Sequence, residues 1–292
     1  FKGILTQNGR DLGHLNDTFA AMSRIWTIRE ALSFYSAADT LYQVHSPFVF
    51  ELAKKVLEDD RWYYAFGELE AFRALLQQKK DVIEVTDYGA GSQKMPGKKR
   101  STQEIARSSL SGAEQCRQLF RLVQHFRPKR ILELGTSLGI STLYMRAADT
   151  RAHILTLEGC PQIAKLARGY FKSRKADNIE LIEGRFADTL PQALAQLGAP
   201  DLVFIDGHHL KAPTLAYFEQ CLAASHENTV FVFDDVHWSA EMVDAWTAIR
   251  SHPSIRLTVD LFRMGLAFQR PEQREREHFR LVPKYWKPWK IM

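Results

Sequence analysis

Cysteine is scarce in these 292 residues: Cys116, Cys160 and Cys221 are the three present, an odd number without the paired spacing of a metal site. That argues against a disulfide-stapled secreted scaffold and predicts free thiols in a reducing compartment. No apolar run approaches the roughly 18 residues that a membrane-spanning helix needs. A leader of basic, apolar and small-residue stretches is also missing, so a cytoplasmic protein that does not enter the membrane is expected. What is present suits a globular chain. Hydrophobic residues make up 45% of the sequence, enough for one domain of ordinary size plus added elements. The net charge is +5, with positive residues gathered at 94–100 and 284–290.

The most informative stretch is Ile131-Leu132-Glu133-Leu134-Gly135-Thr136-Ser137-Leu138-Gly139-Ile140-Ser141-Thr142. It reads as a buried strand, a glycine turn and a helix start, with Ser141 or Thr142 available as a helix cap and the glycines open to close backbone approach by a ligand. A dinucleotide fold would carry G-x-G-x-x-G; here the spacing is E-x-G-x-x-x-G and the third glycine is absent. A second strand, His153 to Leu157, ends in Glu158, where a carboxylate can accept both ribose hydroxyls or simply be solvated. Pro161 opens the next helix, where its missing N–H costs nothing. A strand from Ile179 then meets Gly184-Arg185-Phe186. Two nearly continuous apolar strands follow, 201–205 and 229–233, each ending in polar clusters: Asp206-Gly207-His208-His209 and Asp234-Asp235-Val236-His237-Trp238. A helix over 239–251 and a hairpin of strands 255–261 and 265–269 close the pattern.

The segment ELGTSLGIST resembles motif I of class I S-adenosylmethionine-dependent methyltransferases, most closely the small-molecule branch that includes catechol O-methyltransferase. His45-Ser46-Pro47-Phe48, Asp87-Tyr88-Gly89-Ala90-Gly91-Ser92 and the Asp-Asp-Val-His-Trp segment resemble uncharacterised bacterial members. The resemblance implies an α/β, doubly wound, mostly parallel seven-stranded sheet over residues 111–270, preceded by an N-terminal helical extension and basic loop (1–110) and followed by a basic aromatic tail (271–292). It implies a cofactor site made of Glu133, Gly135, Thr136, Ser137, Gly139, Ser141, Glu158, Gly184, Arg185, Phe186 and Asp206. Phe186 would lie along the adenine or pack beneath the sheet. It further implies a divalent cation, magnesium first and manganese as an alternative, on Asp206, Asp234 and Asp235, lowering the pKa of a substrate hydroxyl. Asp235 has a competing reading as a helix N-cap. Relatives often carry Lys three residues after the first metal Asp; His209 stands there, so His209 or His208 becomes the candidate base.

The expected activity is O-methylation of a small hydroxylated, for example phenolic, molecule. RNA or protein methylation and a non-catalytic binding protein are the alternatives. Basic residues interleaved with aromatics can bind nucleic acid, yet neither an RNA-binding module nor a base-methylating tetrapeptide is present, and a solvated tail whose tryptophans pack on the domain is favoured. Residues 17–80 read as helices, with Phe19, Met22, Ile25 and Trp26 on one face and Ser46-Pro47 starting a helix to Leu57. Trp62, Tyr63, Tyr64, Phe66 and Phe72 read mainly as core, with a lid or homodimer surface as the other use. Residues 87–100 read as a loop that could cover the site, with no second strand completing a unit after 82–85.

Overall fold

The computed structural model describes residues 26–86 and 98–290. Phe19, Met22, Ile25 and the stretch 87–97 lie outside the described residues. In chain order, a helix over residues 26–37 (α1) precedes α2 (Pro47–Leu52), which runs on as a π-helical turn (Ala53–Leu57), and α3 (Tyr64–Leu76). The hairpin β1 (Val82–Val85) and β2 (Lys98–Ser101) leads to α4 (Thr102–Ser108) and α5 (Ala113–Phe126). Strands and helices then alternate: β3 (Arg130–Leu134), α6 (Ile140–Ala148), β4 (His153–Glu158), α7 (Pro161–Ser173), β5 (Ile179–Glu183), α8 (Phe186–Leu197), β6 (Leu202–Ile205), α9 (Lys211–Ala223), β7 (Val230–Asp234) and α10 (Ala240–Ser251). The strands β8 (Leu257–Asp260), β9 (Met264–Phe268) and β10 (Glu277–Arg280) complete the sheet.

The strand order β10-β8-β9-β7-β6-β3-β4-β5 is that of a class I methyltransferase fold, with β9 antiparallel to both neighbours and the other pairings parallel. Side chains alternate across it. Ile131, Ile154, Phe204 and Val232 enter one core cluster, while Leu132, Leu155, Ile205 and Phe233 enter another on the opposite face. Helices on both sides exclude water from both faces, so these strands are apolar throughout rather than at every second residue. Chain order reverses between β3 and β6, and their carboxyl ends open a crevice there, the usual ligand position in an open α/β sheet.

Three features differ from the expectation. The sheet has eight strands instead of seven, because Glu277–Arg280 pairs in parallel register with the outer edge of β8, carrying the sheet past residue 270. Residues 98–100, read as loop, belong to β2, which pairs antiparallel with β1 from Val82–Ser101 to Val85–Lys98, a hairpin that completes no cofactor-binding unit. The tail tryptophans are not packed away: Trp286 and Trp289 are exposed, and it is Lys287 that is buried. The N-terminal helices, in contrast, are core as expected. Phe66, Leu69, Phe72 and Leu76 of α3 form one cluster with Ile105 of α4 and residues of α5, α6 and α7. Burying Phe66 alone contributes about 2 kcal/mol. Trp62 and Tyr64 point outward. The three thiols are free and buried. Among the described residues no helix is long and apolar enough to cross a membrane.

A polar knot joins α1 to the sheet. His237 is sandwiched between Glu30 Oε1 at 2.9 Å and Asp260 Oδ2 at 2.8 Å, and its ring stacks on Phe262. Burial by itself would lower its pKa, but the two carboxylates outweigh it and the imidazole is held above its ordinary value. Asp260 is fully buried and also accepts from Trp246 Nε1 at 3.0 Å and from the Phe262 amide at 2.9 Å. Removing it would strand a buried imidazolium and an indole N–H. Asp260→Ala is expected to cost about 3 kcal/mol in urea unfolding and to speed amide exchange in residues 26–37 before the central strands.

Candidate active site

The turn after β3 is shaped by contact with protein. Gly135 has φ +107°, and a Cβ there would lie 1.8 Å from the Asp206 carbonyl oxygen, so only glycine lets this turn cross the end of β6. Gly139, at φ +80°, is the N-cap residue of α6, and a Cβ would strike the Phe171 ring at 2.5 Å. The space beside Gly139 is therefore filled by the chain itself. Ser141 and Thr142 do not cap α6. They lie inside it and donate to Glu133 Oε1 and Oε2 at 2.6 and 2.5 Å, and Thr156 adds a third bond to Oε2 at 2.7 Å. Glu133 is wholly buried, which pushes its carboxyl up to about 7 against the pull of the three hydroxyls. Thr136 is buried and bonded to Thr156 at 2.6 Å. These four side chains, Glu133, Thr136, Ser141 and Thr142, brace the motif from behind.

A cleft of about 350 Å³ opens in front of it, lined by Gly135, Ser137, Glu158, Arg185, Phe186, Asp206, His208 and His209 among others. Glu158 sits at its floor. Its Oε2 accepts from the Ser137 amide and its Oε1 from the Cys160 amide, both at 2.8 Å, leaving lone pairs on each oxygen for a ligand. Burial pushes this carboxyl up to about 7 despite those amides. The Ser137 hydroxyl is shut away from solvent without a hydrogen-bond partner, a donor that a bound molecule in this cleft would satisfy. Phe186 lines the cleft yet is largely buried, edge-on to His208 and Tyr217. Gly184, at φ +144°, does not line the cleft; its amide binds the Glu158 carbonyl and a Cβ would meet Thr189.

A larger cleft, about 920 Å³, lies alongside and shares Ser108, Ser109, Asp206 and His209 with the first. Here the polar ends of β6 and β7 meet. Asp206 accepts from Ser111 Oγ at 3.2 Å and faces His209 Nε2 at 3.6 Å. Asp234 accepts from Gln115 Nε2 at 2.8 Å, and Asp235 faces Arg263 at 3.6 Å. Burial, then the charge of Asp235, holds the Asp206 carboxyl above its ordinary range, and burial, then repulsion from Asp206 and Asp235, does the same for Asp234. Burial lowers the His209 pKa, so this imidazole is a neutral acceptor. Asp235 is not a helix cap: Ser239 caps α10, accepting from the Met242 amide, while Asp235 takes a left-handed φ of 49°. Among the described residues no three of His, Cys, Asp or Glu are gathered as ligands of one ion. Ser111 and Gln115 were missed from sequence; a glutamine three residues after Gly112, whose Oε1 accepts from the Gly112 amide at 2.9 Å, was the one local signal. The outer wall comes from both ends of the chain, with Phe34 of α1 and residues 281–286.

Residues 132–236 match the family model described as a methyltransferase domain. Over 135 residues the chain is 34% identical to a catechol O-methyltransferase of Mycobacterium tuberculosis, covering 46% of this chain and 59% of the relative. Over 126 residues it is 33% identical to a catechol O-methyltransferase of Niastella koreensis, covering 42% of this chain and 56% of the relative. The chain thus spans less than two thirds of the length of either. The O-methyltransferase from Bacillus cereus in complex with SAH shares the fold, with a TM-score of 0.51 over 76% of this chain and 97% of that one at 20% identity.

Because three buried hydroxyls depend on Glu133, Glu133→Ala is expected to lose about 2 kcal/mol in urea unfolding, and Glu133→Gln, which keeps an acceptor, less. The pH dependence has a definite sign. A carboxyl at about 7 in the folded chain against an ordinary 4.5 binds its proton more tightly when folded, so its contribution is complete below 4.5 and declines as pH rises towards 7. The stability advantage of wild type over Glu133→Gln should shrink across that window; a flat difference would contradict the assigned burial.

Proposed function

We propose that this class I methyltransferase domain transfers the methyl group of S-adenosylmethionine to an oxygen of a small hydroxylated, phenolic molecule. The observation that carries the reading is the pair of clefts meeting at Asp206 and His209, one suited to the cofactor and one to the acceptor. Glu158 would receive the ribose hydroxyls, Ser137 would donate its unpartnered hydroxyl to the cofactor, and Arg185 with Phe186 would border the adenine. An acceptor hydroxyl in the larger cleft would give its proton to a base at the junction, and bound S-adenosylmethionine would supply the methyl group and leave as S-adenosylhomocysteine. His209 is the better base than His208: it borders both clefts, whereas His208 borders the cofactor cleft alone and faces Tyr217 at 3.3 Å. Holding the two reactants in adjoining clefts removes much of the entropic barrier.

Asp206, Asp234 and Asp235 all line the larger cleft and offer hard oxygen donors, a chemistry that suits a divalent cation of the magnesium type. Such an ion would lower the pKa of the acceptor hydroxyl. A small molecule is favoured over RNA because Lys287, central to the basic tail, has its ammonium buried in the chain instead of turned to solvent.

Calorimetry should show S-adenosylhomocysteine binding to wild type and a loss of about 1 to 3 kcal/mol in Glu158→Ala. With a catechol as acceptor, excess chelator should stop turnover and magnesium or manganese restore it. Asp206→Ala and Asp234→Ala should abolish turnover while retaining cofactor binding. Full turnover in chelator, with no metal by elemental analysis, would remove the ion and leave His209 acting alone.

A further inference from the structure

The wall of the acceptor cleft contributed by the C-terminal segment is held by an uncommon set of contacts. Leu281 forms a parallel bridge with Asp39, and Val282 packs against Phe34 and Ala38. The Lys284 amide donates to Glu58 Oε1 at 2.6 Å. Beyond these lies Lys287, only 3% exposed, whose ammonium donates to the carbonyls of Ala38 at 2.6 Å and Ser36 at 3.4 Å and sits 4.7 Å from the centre of the Tyr35 ring. Tyr35 in turn donates its hydroxyl to the Trp286 carbonyl at 2.6 Å. Carbonyls at the end of α1 thus cage a lysine from the C-terminal segment, and the cost of burying its ammonium is offset only while those acceptors and the Tyr35 ring stay in place.

What this cage positions is aromatic surface. Tyr285 and Trp286 line the larger cleft and remain 70% and 49% exposed, and Trp238, 62% exposed, lines the same cleft from the loop after β7. Three large rings kept out of the core around one opening form a natural seat for the apolar body of a planar ligand. The cleft is too wide for a single ring: about 920 Å³ lies in the range of pockets that take drug-sized molecules.

We propose that residues 281–286 form the specificity-determining wall of the acceptor cleft, selecting extended planar acceptors over bare catechol, and that Lys287 is the positioning residue that latches this wall to α1. The inference rests on the reading of that cleft as the acceptor site. Lys287 and Tyr35 touch neither cleft, so the latch acts through Tyr285 and Trp286.

The test uses the full chain with two variants, Lys287→Met and Tyr35→Phe, the second removing one hydroxyl with little risk to folding. Hydrogen exchange in residues 281–287 should rise about tenfold in Lys287→Met while the affinity for S-adenosylhomocysteine stays within about twofold. With 3,4-dihydroxycinnamate as the extended probe, KM should rise about fivefold or more in both variants with kcat within about twofold, and with catechol KM should change little. Trp286→Ala should raise KM for the extended probe alone. Unchanged exchange and an unchanged KM ratio between the probes would overturn the inference. So would an equal loss for both probes together with weakened cofactor binding, which marks general loosening. Failure of the acceptor reading shows differently: wild type itself would bind S-adenosylhomocysteine and methylate neither probe, and the wall would fall with it.

Discussion

The site depends on one close crossing of backbones. The turn after β3 passes over the end of β6 so tightly that Gly135 has no room for a Cβ against the Asp206 carbonyl, while the Asp206 amide bonds back to Leu134 at 2.9 Å. This crossing lies at the point where strand order reverses. It therefore sets the width of the smaller cleft on one side and the direction of the Asp206 side chain on the other. Asp206 belongs to both clefts because the crossing puts its backbone under the motif and its carboxylate beside Asp234.

Around that crossing, the polar residues of the motif divide into two populations. Glu133, Thr136, Ser141, Thr142 and Thr156 are satisfied by one another inside the core. Ser137 and Glu158 face the cleft with bonding capacity to spare. A buried carboxylate with three hydroxyl donors is a rigid brace, since each donor would be left unpaired by any shift of α6 against β3 or β4. The ligand-facing pair can be held still only because the braced set behind it does not move. The same logic recurs at Asp260, where one carboxylate joins the loop that holds α1, the middle of α10 and the β8–β9 hairpin through His237, Trp246 and the Phe262 amide.

The ends of the described chain meet over the larger cleft. Helix α1 and residues 281–287 pair with each other, and through Phe34, Tyr285 and Trp286 they close a side that the sheet leaves open. Neither segment belongs to the stretch matched as a methyltransferase domain.

Much of the sheet was legible in the sequence because its signals are local. Apolar runs of four or five residues, Pro161 at a helix start and glycines around position 135 each depend on near neighbours, and the strands from Ile131 to Phe268 fall within a residue or two of their expected places. The acids at the ends of β4, β6 and β7 were legible for the same reason, since a strand end is a local event. What Glu133 touches was not, because a carboxylate at a strand position facing the core looks the same in sequence whether it greets a ligand or a helix hydroxyl. Nor were Gln115 against Asp234, 119 residues apart, or Lys287 against Ala38, 249 residues apart, because contacts at such separations leave no periodicity to read. The eighth strand belongs with these: Glu277–Arg280 is too polar to announce itself, and it is a strand because the free edge of β8 supplies the hydrogen bonds. Local chemistry determined the elements and the acids at their ends; tertiary structure alone decided which polar groups are spent on one another and which remain for a ligand.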